Sequence, residues 1–524
     1  MRRSIWIKAA CAAAVIGACG IGAWFMGVYP GGAANRGHIH TQEGLALHFF
    51  INRPPSSALP DPASDIVRAA IEEEFEVQLT VTAMEEGDEY NTTIASLLAA
   101  NDPPDMWLNI SPDGGAKYTL DNVLADMTYY VTPETMPNYF RYWMNEMELR
   151  EYQVHNKFAR APIPYDNQSY RAYYIRQDWL QKLGLKVPAT YEEYVDTLRA
   201  FTYDDPDGNG IDDTYGFTTA GNGVGLSQQW PEFIKHGLIY PAYFKDDRLI
   251  DMGMDERVGA VIEDILHVME EGVVDPDWFL NKGDQHVDKA VQGRVGVILG
   301  DTADFAYDSN PDSLQSRSRA VNPDADWVPF NPFGSRPLRT EAAPGFPFVF
   351  SNNAAGLHPE KLKRTARILD WLAGEEGFLL THYGVEGQHY TRQGNTITIV
   401  PEAVGEEKDV RGDFMKVWSF FTPNKPEVYG ITVIDPRVTE RDKQIRLTIE
   451  AIPMHEGLGT TLTPPLGINV EAMRTRQNEL QVKMLFSDRS AAKWPEYRQE
   501  VLTQFHGDTI FHQYEQKIRA AHLK

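Results

Sequence analysis

The chain reads as an α/β protein, on three observations. Apolar runs at residues 45–51 (LALHFFI) and 77–83 have strand character, the second alternating Val77, Leu79 and Val81, and residues 61–75 between them carry Ile66, Ala69, Ala70 and Ile71 at helical spacing. That β-α-β order calls for a parallel sheet. A length of 524 residues with 42% hydrophobic and 11% aromatic content allows a large core and two or three domains. The apolar segment 345–351 (GFPFVFS) resumes a sheet after a long helical insert.

Residues 1–37 read as an export segment, with Arg2, Arg3 and Lys8 ahead of an apolar stretch from 9 to 29. The folded part is therefore expected to work outside the cytoplasm. Ile16-Gly17-Ala18-Cys19 resembles a bacterial lipobox, which makes Cys19 the expected lipidation site; the alternative is an uncleaved anchor, because 21 apolar residues suffice to span a bilayer. Either one tethers the protein to a membrane, with residues 31–40 as a short leash. Both cysteines, Cys11 and Cys19, fall in this segment, so the remainder has no thiol chemistry. Forty-nine basic against 74 acidic residues give a net charge of −25, which argues against nucleic acid as a partner.

After the first β-α-β unit, residues 90–101 have helical spacing and 103–110 (PPDMWLNI) read as a third strand. Ligands of open α/β sheets bind at the carboxyl ends of strands. Trp107 and residues 109–113, beginning with Asn109, are candidates on that ground, Trp107 being equally suited to anchor the core. Residues 129–174 are dense in aromatics, Tyr165 among them, of the kind that stack on the C–H face of a pyranose. Residues 173–183 have helical spacing ended by Gly184, and Thr190 with Glu193 forms a T-x-x-E box opening a helix through Phe201.

The loop that follows, DPDGNGIDDTYGF at 205–217, carries Asp205, Asp207 and Asn209 at alternate positions, then Gly210, the backbone carbonyl of Ile211, and Asp213. These match positions 1, 3, 5, 7 and 9 of an EF-hand. The twelfth position, which needs a bidentate Glu, is Gly216. A short structural Ca²⁺ loop is expected rather than a sensor, although the same composition also builds a solvated turn.

The run at 175–217, together with PPDMW at 103, GRVGVILGD at 293, HPEKLKRTARILDWL at 358, YGVEGQHYT at 383 and WPEYRQEVLTQFHG at 494, resembles the family 1 extracellular solute-binding proteins of bacterial ABC importers. Within it the similarity is to the large lipoprotein-like, oligosaccharide-binding subfamily that includes calcium-containing alginate-binding proteins. The resemblance implies a periplasmic-binding-protein-like fold of two lobes with the ligand cleft between them. Lobe one would take residues 38–164 plus 328–374, and lobe two residues 165–327 plus 375–524. It also implies a carbohydrate ligand and an ABC permease as partners.

Strand 295–299 runs into Asp301 and Asp304, where a helix is expected to begin; there the two carboxylates would favour hydroxyl donors, or Asp301 would simply cap the helix. Trp230, after a Gly/Asn-rich loop, and Trp418 are expected as exposed stacking platforms, whereas Trp179, Trp371 and Trp494 are assigned to the core. Arg176 and His389 read as structural, and no H-E-x-x-H spacing occurs among the 14 histidines. The expected function is a non-catalytic receptor that closes its lobes on an oligosaccharide. A glycoside hydrolase, needing two carboxylates roughly 5–10 Å apart, and a tethered sensor stand as alternatives.

Overall fold

The computed structural model describes residues 44–522, apart from 54–60, 86, 110–114, 146–148, 150–152, 155, 156, 160–162, 167, 169, 343–347, 353–358 and 402–413. The export segment with Cys19 lies outside the described residues, as do 110–113 of the strand-end candidates. The strands in chain order are β1 (Leu45–Asn52), β2 (Val77–Met84), β3 (Met106–Leu108), β4 (Ala172–Arg176), β5 (Tyr215–Phe217), β6 (Ala242–Lys245), β7 (Arg248–Asp251), β8 (Val295–Gly300), β9 (Trp327–Phe330), β10 (Phe348–Phe350), β11 (Tyr390–Gln393), β12 (Thr396–Ile399) and β13 (Thr432–Ile434).

The first sheet has the order β10-β3-β1-β2. β1 is parallel to both β2 and β3, as the β-α-β reading requires, and β10 returns antiparallel to β3. The crossover helix Ile66–Phe75 starts where Asp65 accepts from the amides of Val67 and Arg68, and it buries Val67, Ile71 and Phe75. Residues 61–64, read as part of the helix, form a turn ahead of that cap.

The second sheet has the order β5-β8-β4-β9. β5 is parallel to β8, while β4 is antiparallel to both β8 and β9. Here the helical reading of 173–183 is corrected: Ala172–Arg176 is a strand, and the helix is Gln177–Leu183. All five residues of β4 are buried, which is how an inner strand covered on both faces looks, and such an apolar run has no periodicity to separate it from a helix. On one face Tyr173 and Ile175 join a core completed by Met473, Trp494 and Ile510 of the C-terminal helices. On the other, Ala172, Tyr174 and Trp327 meet Ile445 and Ile449 of helix Glu440–Glu450.

The main chain passes between the two sheets more than once. It leaves the first after β3 to enter the second at β4, and leaves the second after β9 to return at β10. Val417, Trp418 and Phe421 pack into the first core, and the chain then runs to helix Glu440–Glu450 on the second. β9 therefore belongs with the second sheet, and the chain around 417–421 with the first core. Among the described residues no helix is long and apolar enough to cross a membrane.

Candidate functional site at the carboxyl edges of the sheets

Because β5 and β8 are parallel and β4 runs against them, the carboxyl ends of β5 and β8 share one edge with the start of β4. Gly300 pairs with Ala172, which brings Asp301 alongside Arg171. A Cβ at Gly300 would collide with the Phe305 ring, so only glycine lets the turn fold down at this point. The expected helix at 301 is absent: residues 301–313 form turns, and the next helix is Leu314–Val321. Asp301 is therefore not an N-cap.

Arg171 Nη1 donates to both carboxylate oxygens of Asp301, at 3.1 and 3.3 Å. Its Nη2 donates to the Gln228 carbonyl at 2.7 Å, and its guanidinium carbon lies 4.5 Å from the centre of the Tyr240 ring. The Asp301 side chain is 44% exposed, while that of Arg171 is 5% exposed. Asp304 is tied down differently, accepting from Asn310 Nδ2 at 2.8 Å within the same loop. At the end of β5, buried Asp275 accepts from Thr218 Oγ1, Asn281 Nδ2 and Lys289 Nζ at 2.7, 2.9 and 2.8 Å. Those bonds hold its carboxyl below the ordinary carboxylate range, against burial, which acts the other way.

On the first sheet, Asn109 stands immediately past β3 and is 4% exposed, yet its Nδ2 has no hydrogen-bond partner. Trp107 is fully buried in the first core, and its Nε1 is likewise unpaired. Among the described residues neither donor has a partner, and a buried donor left unpaired costs about 1–3 kcal/mol. Tyr165 is half-buried and packs against the first core.

Two expected platforms are corrected. Trp230 is 1% exposed, with Phe217 and Trp278 rings 5.2 and 5.0 Å away. The Gly/Asn-rich loop before it folds back onto Trp278, Phe279 and Asn281 through amide bonds from Gly221, Gly223 and Asn222, so the indole that follows is covered. Trp418 is completely buried, its Nε1 donating to Asp65 Oδ2 at 3.0 Å. Trp179 and Trp494 are core residues, as read; Trp371 is only half-buried, with Nε1 donating to Glu376.

In the 205–213 loop, Asp205 accepts from the amides of Gly208 and Gly210 at 2.9 and 3.1 Å. Asn209 Nδ2 donates to Asp207 and Asp213 at 2.8 and 3.2 Å, and Asn209 Oδ1 accepts from the Ile211 amide. Partial burial, together with the neighbouring Asp205 and Asp213 carboxylates, raises the Asp207 carboxyl above its ordinary value. The oxygen donors suit Ca²⁺ in kind, but as folded here they are turned onto the loop's own amides. Among the described residues no set of three or more His, Cys, Asp or Glu side chains gathers as a metal-holding group.

Arg171 and Tyr240 were not legible as site residues, although Arg171 standing one place before an apolar run is a signal for a charge at a strand's edge. A cavity of about 730 Å³ also went unforeseen; His382, Tyr383, Asn424, Arg437, Lys443 and Arg446 are among its walls. It shares no lining residue with the Asp301 cluster, lying instead where the chain passes from residue 424 to helix Glu440–Glu450. Burial pushes the His382 imidazole down to about 4, so it is neutral, with Nε2 2.9 Å from Thr422 Oγ1.

The chain is 28% identical over 227 residues to lipoprotein LipO of Bacillus subtilis (strain 168), covering 43% of this chain and 45% of that protein. It is 26% identical over 265 residues to the polygalacturonan/rhamnogalacturonan-binding protein YtcQ of the same organism, covering 45% and 48%. It thus spans about half the length of the curated relatives it matches. Its fold is shared, with a TM-score of 0.68 and 16% identity over 92% of this chain and 99% of the other, by a solute-binding protein from Bifidobacterium longum infantis ATCC 15697 described as HMO-binding and ABC-transporter-associated. The two sheets with their repeated crossings are accordingly the lobes of a periplasmic-binding-protein-like fold. Residues 58–338, more than half of the chain, match the model of one family, and the chain belongs to it: the bacterial extracellular solute-binding proteins.

Proposed function

We propose that this protein captures a carbohydrate, an oligosaccharide, between its two lobes and delivers it to the permease of an ABC importer, without catalysing a reaction. The observation that carries the reading is a pair of polar side chains at the carboxyl edges of the two sheets, where a ligand of an open α/β sheet binds. One edge offers Asp301, half-exposed and held by a buried arginine, and the other offers Asn109 with an unpaired buried amide. Fixed polar groups of this kind orient sugar hydroxyls. The relatives' printed names support a sugar-related ligand. Strand pairing supports lobe limits near those expected from the sequence, 38–164 plus 328–374 and 165–327 plus 375–524, with β9 kept in lobe two and residues up to Phe421 in lobe one. Tethering through Cys19 belongs to the same reading, supported by the likeness to a lipoprotein.

The 205–213 loop is assigned a structural Ca²⁺, with Asp205, Asp207, Asn209, Asp213 and the Ile211 carbonyl as its holders. Four carboxylates within one short loop, those of Asp205, Asp207, Asp212 and Asp213, repel one another, and a divalent cation relieves that repulsion. One thermal-shift experiment on residues 44–524 tests both claims, with neutral and acidic oligosaccharides, each in Ca²⁺ and in EDTA. The expected result is a saturable rise in Tm with one glycan class and no released product, and a lower Tm in EDTA. For a ligand binding only the folded state at a hundredfold excess over Kd, the stabilisation is about 2.7 kcal/mol. A Tm unmoved by every glycan would sink the carbohydrate reading, and one unmoved by EDTA the calcium assignment.

A further inference from the structure

We infer that Arg171 and Tyr240 are positioning residues that fix Asp301 as an acceptor for the hydroxyl groups of a neutral sugar unit, and thereby set the ligand's charge class. This rests on the carbohydrate-binding reading above. A carboxylate 44% exposed on a turn would ordinarily swing among rotamers and be of little use for recognition. Here both of its oxygens lie within 3.3 Å of a single guanidinium nitrogen. That guanidinium has among its partners Asp301, the Gln228 carbonyl at 2.7 Å and the Tyr240 ring at 4.5 Å. It cannot turn without breaking all three.

Strand pairing shows why these groups meet. Gly300 opposite Ala172 sets Asp301 beside the residue that precedes β4, and a β-bridge from Tyr240 to Arg339 brings a second guanidinium to 5.6 Å from the same ring. The Tyr240 ring is thus engaged by two guanidinium groups. What the cluster presents outward is the carboxylate. An ionised carboxylate is an acceptor only, with about four lone-pair positions, and Arg171 occupies two of them. The remaining two, on the exposed side, suit a pair of neighbouring hydroxyls through charge-assisted bonds, about twice as strong as neutral ones. A uronate carboxylate offers no donor there and meets a like charge.

A glycan array carrying matched neutral and uronate oligosaccharides, probed with the Ca²⁺-loaded wild type and with Asp301→Asn and Arg171→Lys, tests this. Wild type is expected to retain neutral glycans. Asp301→Asn, compared with wild type at a temperature where both remain folded, should weaken that retention about tenfold or more, the size of one lost charge-assisted bond. It should also narrow the ratio of neutral to acidic retention, because the repelling charge is gone. Arg171→Lys keeps the charge but not the planar fork, and should shift the ratio the same way. A loss of packing alone would lower all glycans together and leave the ratio unmoved. The inference is overturned if wild type holds uronates more tightly than their neutral counterparts, or if both variants match wild type on every spot. A folded wild type that retains no glycan at all instead overturns the carbohydrate reading, and this inference with it.

Discussion

Glu232 shows how far a single side chain can be driven by its surroundings. It is 1% exposed on the short helix Pro231–Lys235, with Oε1 accepting from Tyr191 Oη at 2.8 Å and Oε2 unpaired. Burial pushes its carboxyl up to about 7, only partly offset by the Tyr191 bond. The folded value lies above the unfolded one, so the folded chain holds a proton that the unfolded chain gives up. Stability from this group is therefore fully present below about pH 4.5 and is lost as pH rises through about 7. The loss approaches about 3 kcal/mol, at 1.36 kcal/mol for each unit of difference. Glu232→Gln should flatten this limb, so that the variant gains stability on wild type between pH 5 and 8 in urea titrations. A constant difference across that range would show that the carboxyl is not protonated in the fold. Nothing in P-E-F-I-K announces this burial, which arises only when Tyr191 closes over the helix from another part of the chain. Asp301 was legible as a strand-end acid, whereas its partner Arg171 lies 130 residues away and is joined to it only by the antiparallel register of β4 and β8.

Helix Ile66–Phe75 shows elements acting through their ends. Asp65 caps it and also receives the Trp418 indole N–H, so a local signal and a contact across more than 350 residues converge on one carboxylate. Asp65→Ala removes the cap, worth about 1 kcal/mol, and leaves a buried indole donor unpaired at about 1–3 kcal/mol. A total destabilisation of about 2–4 kcal/mol is expected by urea denaturation, with Asp65→Asn losing less because its carbonyl oxygen still accepts. Equal losses for the two would show that the second carboxylate oxygen and its charge, not the retained shape and single acceptor, carry the whole effect. The acidic start of this helix was readable from sequence. Trp418 is expected from sequence as an exposed platform, but it is completely buried, and neighbouring Phe420 and Phe421 stack on Phe348 of β10 and close the core. β4 was misread for a related reason: Y-Y-I-R-Q-D-W-L satisfies helical spacing, yet full burial on both faces makes periodicity uninformative. The loop at 205–213, by contrast, folds back onto its own amides, as the turn alternative in its composition allows, because turn chemistry is local.

Across the whole molecule, the β-α-β start and the return of an apolar strand at Phe348–Phe350 sufficed to foresee a first sheet built from two separated pieces. The limits of the lobes were less legible, because β9 and residues 417–421 are assigned by which sheet or core they join, and sequence order carries no record of that. The passages between the sheets also create the cavity beside His382, whose walls come from helix Glu375–His382, from the connecting chain and from helix Glu440–Glu450. Capture between two lobes, as proposed above, would work by a population shift, with the ligand stabilising the closed state in proportion to the contacts it makes to both lobes. The most direct test is small-angle X-ray scattering of residues 44–524, free and titrated with the neutral and acidic oligosaccharide panel. The account predicts a saturable fall in the radius of gyration with the glycan that raises Tm, and no fall with the others. A glycan that binds tightly while the radius stays unchanged would contradict capture by lobe closure.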